Sequence, residues 1–117
     1  MDDIVKIAKM NGDKRKEAMQ KLFVEMFKQD DASKIKIMKG LITEMNKVDD
    51  ETYIGLCTTN MNIASEFSDD KLKGFVALRM KVNSELPPDL QKRDMKMIEA
   101  TMQRIPQSTV QKISKFM

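Results

Sequence analysis

Three pairs of neighbouring aspartates are the residues of this chain whose type and spacing first suggest a reactive site. They are Asp30-Asp31, Asp49-Asp50 and Asp69-Asp70. Paired carboxylates can hold a hard cation or share a proton in acid–base catalysis. Each pair also opens a helical pattern, where a carboxylate accepts hydrogen bonds from free backbone N–H groups and complements the helix dipole. Because successive short helices run antiparallel, the pairs should not converge, and we interpret them as helix caps.

The chain lacks residues that other kinds of catalytic and metal-binding site require. The 117-residue chain has no histidine and one cysteine, Cys57. It therefore lacks the commonest general base, a Cys–His nucleophile pair and the ligands of a tetrahedral zinc site. Glycine-rich phosphate-binding motifs and the GxSxG motif are also missing. We predict that the protein is not an enzyme and uses no metal or cofactor, and that Cys57 is a buried thiol on an apolar helix face.

Basic residues are concentrated in the second part of the chain. Residues 70–117 hold 10 basic and 5 acidic groups, whereas residues 1–69 hold 11 and 13. Lysine and arginine neutralise phosphates, so Lys92, Arg93, Lys96 and Arg104 are candidate contacts for sequence-independent nucleic-acid binding. The few aromatic residues offer little for base stacking. Nucleic-acid binding is therefore the alternative function, and a solvated helix face is the simpler interpretation.

Methionine is unusually frequent, with 12 residues in the chain. Several recur at equivalent positions of successive helical segments: Met19, Met38 and Met95; Met61 and Met80; Met26, Met45 and Met102. Flexible, polarizable side chains can line a surface that adapts to apolar helices, although they also serve as ordinary core filling. As the main function we predict a non-catalytic interaction module that binds a protein partner, or its own copy, through an apolar methionine-rich surface.

Polar residues interrupt the apolar positions of the fourth to sixth helical segments. They are Asn60, Arg79, Asn83, Asp94 and Glu99. A buried unpaired charge is expensive, so either these groups pair or that face is open. We assign the first four as candidate partner-binding residues, on a polar concave surface or an oligomer seam. The alternative is a slight rotation of the helices that turns these positions toward water.

A 19-residue repeat must position all of these residues. Helix-starting residues recur at this interval: Asp30, Asp49, Ser68, Pro87 and Pro106. The last four are each preceded by an apolar residue, in order Val48, Phe67, Leu86 and Ile105. Such a residue can staple the chain that enters a helix. Each unit leaves roughly 14 residues for a helix of about 21 Å, followed by a short turn.

The repeat predicts one all-α domain, residues 1–117, with about seven short antiparallel helices. We expect them over 2–10, 13–29, 32–48, 50–66, 69–85, 88–104 and 107–117. Gly12 is expected to end the first helix in a left-handed cap, and Asp13 to cap the second. The units must stack to bury their apolar faces, which gives a compact helical bundle or a short α-solenoid.

In the length of its units the chain resembles the HEAT class of α-solenoids. Two units form a helical hairpin of about 38 residues, and the resemblance covers about residues 11–105, with 106–117 as a C-terminal helix. The lone cysteine, the acidic start MDDIVKIAKM and the absence of an apolar run of about 20 residues predict a cytoplasmic protein without a membrane segment.

Overall fold

Seven α-helices and no strand are found in the computed structural model, which describes residues 3–117. The helices are α1 (Ile4–Ala8), α2 (Gly12–Phe27), α3 (Asp31–Met45), α4 (Asp50–Ser65), α5 (Asp69–Ser84), α6 (Pro88–Met102) and α7 (Gln107–Ser114). The prediction of about seven short helices is confirmed. Asp2, at the start of the first predicted helix, lies outside the described residues. Within residues 3–117 no helix is both long and apolar enough to cross a bilayer.

The 19-residue repeat is a repeat of helix N-caps. Asn11, Asp30, Asp49 and Ser68 each accept a hydrogen bond from the backbone N–H three residues further on, with N···O distances between 2.8 and 3.4 Å. Pro87 and Pro106 occupy the same position before α6 and α7. Bonds from Ser33 lower the pKa of Asp30 below its usual value, as expected for a capping carboxylate. The interpretation of Asp30 and Asp49 as caps is confirmed.

The predicted junction between the first two helices is wrong in detail. Gly12 does not form a left-handed cap but begins α2, and its φ is not positive. The N-cap is Asn11 instead of Asp13, because the Asn11 side chain satisfies the free N–H of Lys14. Asn11 lies 19 residues before Asp30, so the junction follows the same repeat as the others.

The helices stack in two layers. α1, α3 and α5 contact one another in order in one layer, α2, α4 and α6 do so in the other, and α7 lies against α4. Contacts between alternate helices are typical of helical-repeat packing. The molecule measures 32 × 30 × 30 Å with a radius of gyration of 13.1 Å, close to the value expected for a compact domain of this length. The predicted all-α bundle is therefore confirmed, with regular packing consistent with a helical repeat.

The core follows the repeat in α2 and α3 and departs from it in α4. The buried residues Met19, Leu22, Phe23 and Met26 of α2 recur 19 residues later as Met38, Leu41, Ile42 and Met45 of α3. In α4 the buried set widens to Tyr53, Ile54, Leu56, Cys57, Thr59, Ile63 and Ala64. The reason is that α1, α2, α5, α6 and α7 all pack against α4. Two residues of this helix with polar side chains, Tyr53 and Thr59, are therefore buried against other helices.

Candidate functional site

A buried carboxylate, Asp94 of α6, joins α4, α5 and α6 through hydrogen bonds. The Arg79 guanidinium donates Nη1–H to Oδ2 and Nη2–H to Oδ1, both at 2.6 Å. The Tyr53 hydroxyl donates to Oδ1 at 2.6 Å, and the Asn83 amide donates to Oδ2 at 2.9 Å. Asp94 is 0% exposed, and Tyr53 and Asn83 are also buried. We call Tyr53, Arg79, Asn83 and Asp94 the Asp94 network.

The Asp94 network holds a charged pair beside a neutral phenol. Burial raises the pKa of Asp94, but the bonds and charge of Arg79, with the bonds from Tyr53 and Asn83, outweigh burial and hold this pKa below its usual value. Burial lowers the pKa of Arg79, and Asp94 again outweighs it, so the net shift is upward. Burial and the Asp94 charge raise the pKa of Tyr53. These three groups keep their protonation states near neutral pH, which fits a positioning role.

Three of the four residues predicted to bind a partner belong to this network. Arg79 and Asn83 both donate to Asp94, so the alternative that helix rotation turns these three residues toward water is wrong for them. It does hold for Glu99, which is exposed. The structure places Asn83 and Asp94 inside the protein and not on the concave surface that we expected, because α5 and α6 bring the charge and its counter-charge face to face. Binding of a partner by these residues stays a prediction.

A cavity of about 110 Å³ lies next to the Asp94 network. Its wall is largely apolar and includes residues from all seven helices. Seven methionines contribute to this wall: Met19, Met38, Met45, Met61, Met80, Met102 and Met117. The network contributes Tyr53 and Arg79. Members of all three methionine columns of the repeat therefore line one apolar space.

Asn60 of α4 lines this cavity and carries a hydrogen-bond acceptor without a partner in the described part of the chain. Its Oδ1 is buried and has no hydrogen-bond partner among residues 3–117. A buried acceptor left unpaired costs about 1–3 kcal/mol, and native proteins contain few of them. At the equivalent repeat positions α2 and α3 have Leu22 and Leu41, which carry no such cost. Asn60, the fourth predicted partner-binding residue, is therefore a candidate contact for a bound molecule.

The C-terminal helix forms part of the cavity wall. Ile113 is the one buried residue of α7 and lines the cavity. The Lys112 ammonium donates to the main-chain oxygens of Ser65 and Phe67 at the end of α4. Met117, just after α7, lines the cavity and is 51% exposed. The wall is thus least shielded from solvent at Met117.

Two of the four residues predicted to contact nucleic acid are engaged within the protein. Arg93 donates to the Val48 carbonyl at 2.6 Å and pairs with Asp50 at 3.1 Å. Arg104 forms a two-pronged pair with Glu51 at 2.9 and 3.1 Å. Arg93 therefore ties α6 to the start of α4, and Arg104 does the same for the turn after α6.

The other two residues of that set, Lys92 and Lys96, lie one turn apart on α6 and are exposed. Neither has an ion-pair partner in the part of the chain that the structure describes. The structure thus brings these lysines together but directs the arginines elsewhere. Phosphate binding by the set stays a prediction.

Two buried residues complete the surroundings of the cavity. Cys57 lies inside as predicted, and burial raises the pKa of its thiol to about 11, so the thiol is protonated at neutral pH. Tyr53 is a network residue that the sequence did not single out as part of a site. The repeat gave little signal for it, because the equivalent positions hold the apolar Leu72 but also Arg15, Lys34 and Gln91. A tyrosine at a core position needs a partner for its hydroxyl.

Comparisons with known protein families, with curated protein sequences and with solved structures find no match to this chain. The geometry itself defines a structural class, a two-layer all-helical protein with a methionine-lined cavity. One polar wall residue of this cavity, Asn60, has an unused acceptor.

Proposed function

We propose that this protein is a non-catalytic binding protein that takes a small apolar molecule into its methionine-lined cavity. The supporting observation is the apolar space of about 110 Å³ to which all seven helices contribute. An engineered apolar cavity of about 150 Å³ stays free of water and binds benzene. The flexible thioether of methionine lets such a wall adjust to the shape of its occupant.

The sequence favoured a protein partner held on an apolar, methionine-rich surface. Among residues 3–117 the strongly exposed large apolar side chains are Val24 and Met117. A partner helix needs an apolar groove that is open over several turns. A cavity of about 110 Å³ has no room for such a helix. We therefore favour a small molecule and rank a protein partner, self-association and sequence-independent nucleic-acid binding below it. We also propose a cytoplasmic location and a HEAT-like classification. The two-layer packing supports the HEAT-like classification at the level of architecture.

Binding can be tested with toluene and protein that carries ¹³C-labelled methionine methyl groups. Signals of lining residues such as Met38 and Met80 should shift on titration. Met26 and Met97 are 1% and 2% exposed but do not line the cavity, so they serve as internal controls and should stay unshifted. Equal shifts of all methyl groups would indicate non-specific partitioning, and the absence of any shift at saturating toluene would refute the proposal.

Filling the cavity should abolish binding without unfolding the protein. Ala64 is buried and lines the wall, so we expect a leucine at this position to occupy part of the cavity. We expect Ala64→Leu to keep or raise the free energy of unfolding and to weaken toluene binding by about tenfold or more. Ala8 is equally buried but lies outside the wall, so Ala8→Leu should cost about 1–3 kcal/mol by overpacking and leave toluene affinity intact. The reverse pattern would place the binding site elsewhere.

A further inference from the structure

We infer that the ligand of this cavity is a small neutral molecule with an apolar body and one hydrogen-bond donor, a hydroxyl or N–H group, that bonds to Asn60 Oδ1. This inference rests on the proposed function, because it names the ligand class of the same cavity. The polar groups of the wall indicate that the ligand has a donor. The lack of a free counter-charge among these groups indicates that the ligand is neutral, and the volume of the cavity limits its size.

One buried side-chain acceptor of the wall has no hydrogen-bond partner among the described residues. The polar side chains of the wall belong to Tyr53, Cys57, Asn60 and Arg79. The Tyr53 hydroxyl and both terminal nitrogens of Arg79 are directed at Asp94, and the thiol of Cys57 stays protonated at neutral pH. The buried Asn60 Oδ1 has no partner among the described residues. An amide oxygen can only accept, so the group that satisfies it must donate.

The charges around the cavity argue for a neutral ligand. The guanidinium of Arg79 is matched by Asp94 at 2.6 Å and is not free to neutralise an anion. The amide oxygen of Asn60 cannot neutralise a cation. An ion that enters an apolar space without a counter-charge loses its hydration uncompensated. A hydroxyl or a neutral N–H group gives up less hydration and recovers a hydrogen bond.

The volume restricts the apolar body to about the size of a single ring. The cavity, at about 110 Å³, is smaller than the engineered cavity of about 150 Å³ that accepts benzene. Partial adjustment of the seven lining methionines can supply the difference. Phenol is therefore a suitable probe, and toluene is its matched control because it replaces the hydroxyl by a methyl group of similar size.

The test measures both probes on the wild-type protein and on Asn60→Leu, with dissociation constants taken from the methionine methyl shifts. In each protein the dissociation constant of toluene is divided by that of phenol, and the two ratios are compared. The different hydration of the two probes cancels in this comparison because it is the same for both proteins. We expect this ratio to be about tenfold higher in the wild type, the value of one buried hydrogen bond. Leucine occupies the equivalent position in α2 and α3, so the variant should fold. If its longer side chain blocks toluene, Asn60→Ala repeats the comparison with room left.

Each outcome separates the inference from the proposed function. Equal ratios in the two proteins, with toluene still bound, would refute the donor and leave the apolar binding function standing. Failure of both probes to bind the wild type would remove both. Pyridine, which accepts but does not donate, provides the last arm. Its affinity is compared with that of benzene, again in the wild type and in Asn60→Leu. If this substitution changes the pyridine-to-benzene ratio as much as the phenol-to-toluene ratio, the ligand can be an acceptor and the inference is wrong.

Discussion

Replacing Asp94 by alanine is expected to lower the free energy of unfolding by about 3–5 kcal/mol. The change removes the counter-charge of Arg79, leaves the Tyr53 hydroxyl unpaired, and removes the shorter of the two bonds of the Asn83 amide. The side chain of Arg79 is 19% exposed, so water can reach part of it and the lower end of the range is expected. Because small domains are stable by only about 5–15 kcal/mol, the loss should be plain in a urea titration followed by circular dichroism.

An exposed pair of similar geometry provides the control for Asp94. Glu51 accepts two bonds from Arg104, but the two side chains are 73% and 52% exposed. Glu51→Ala should therefore cost less than about 1 kcal/mol. An equal loss at the two positions would mean that burial is not the cause. In a double-mutant cycle, Arg79→Ala and Asp94→Ala together should cost less than the sum of the single changes, because the second removes a group already unpaired.

The Asp94 network should also show in the pH dependence of stability. The folded-state pKa of Asp94 lies below its usual value. The contribution of this carboxylate is therefore complete above its unfolded-state pKa of about 3.9 and is lost as the pH falls through the lower folded-state value. We expect the stability difference between wild type and Asp94→Ala to be constant from about pH 5 to 7 and to shrink in more acidic solution. A difference that grows on acidification would contradict the ion pair.

Helix starts could be predicted from the sequence because they are decided locally. The Asp30 carboxylate, for example, accepts from the N–H of Ser33, only three residues away. Helix ends were placed one to three residues too late. The reason lies in the tightened last turns, such as the Val48 N–H that reaches back to the Met45 carbonyl. How such a turn leads into the next helix depends on tertiary packing, which local residue types do not determine.

The Asp94 network could have been found from the sequence with one more step. Arg79 lies seven residues before Leu86, and Asp94 lies seven residues after Pro87. Residues at equal distances from a turn meet across an antiparallel helix pair, so the two charges were candidates for pairing. Asn83 and Gln91 flank the same turn and are also bonded, from Nδ2 to the carbonyl oxygen at 3.4 Å. The pairing of Arg79 with Asp94 is visible only when both residues are considered together across the turn.

The cavity could not be predicted in the same way, because an empty volume has no residue pattern of its own. The methionines indicated adaptable apolar contacts, but the same columns fit an exposed groove, a filled core or an internal space. The outcome depends on how closely seven helices approach one another. Asn60 was recognisable as a misfit at a leucine position, whereas its lack of a partner became visible only with the surrounding helices in place.

Replacing Leu72 by alanine is expected to cost about 2–5 kcal/mol and to loosen α7 before the rest of the protein. Leu72 is 0% exposed and packs with Ala64, Val76 and Ile113. Ile113 is the one buried residue of α7, and an isolated helix of eight residues is not stable in water. A void next to Ile113 therefore weakens the main apolar anchor of this helix, while the Lys112 bonds to α4 remain.

Hydrogen exchange can separate this local effect from global destabilisation. In Leu72→Ala the amides of α7 should exchange faster than those of α3, and total stability should fall in a denaturant titration. Val24 is 53% exposed, so Val24→Ala should change stability by less than about 0.5 kcal/mol and leave α7 protected. If the amides of α7 and α3 exchange at one common rate in Leu72→Ala, then α7 belongs to the main cooperative unit. Its attachment would in that case depend on more than the cluster around Ile113.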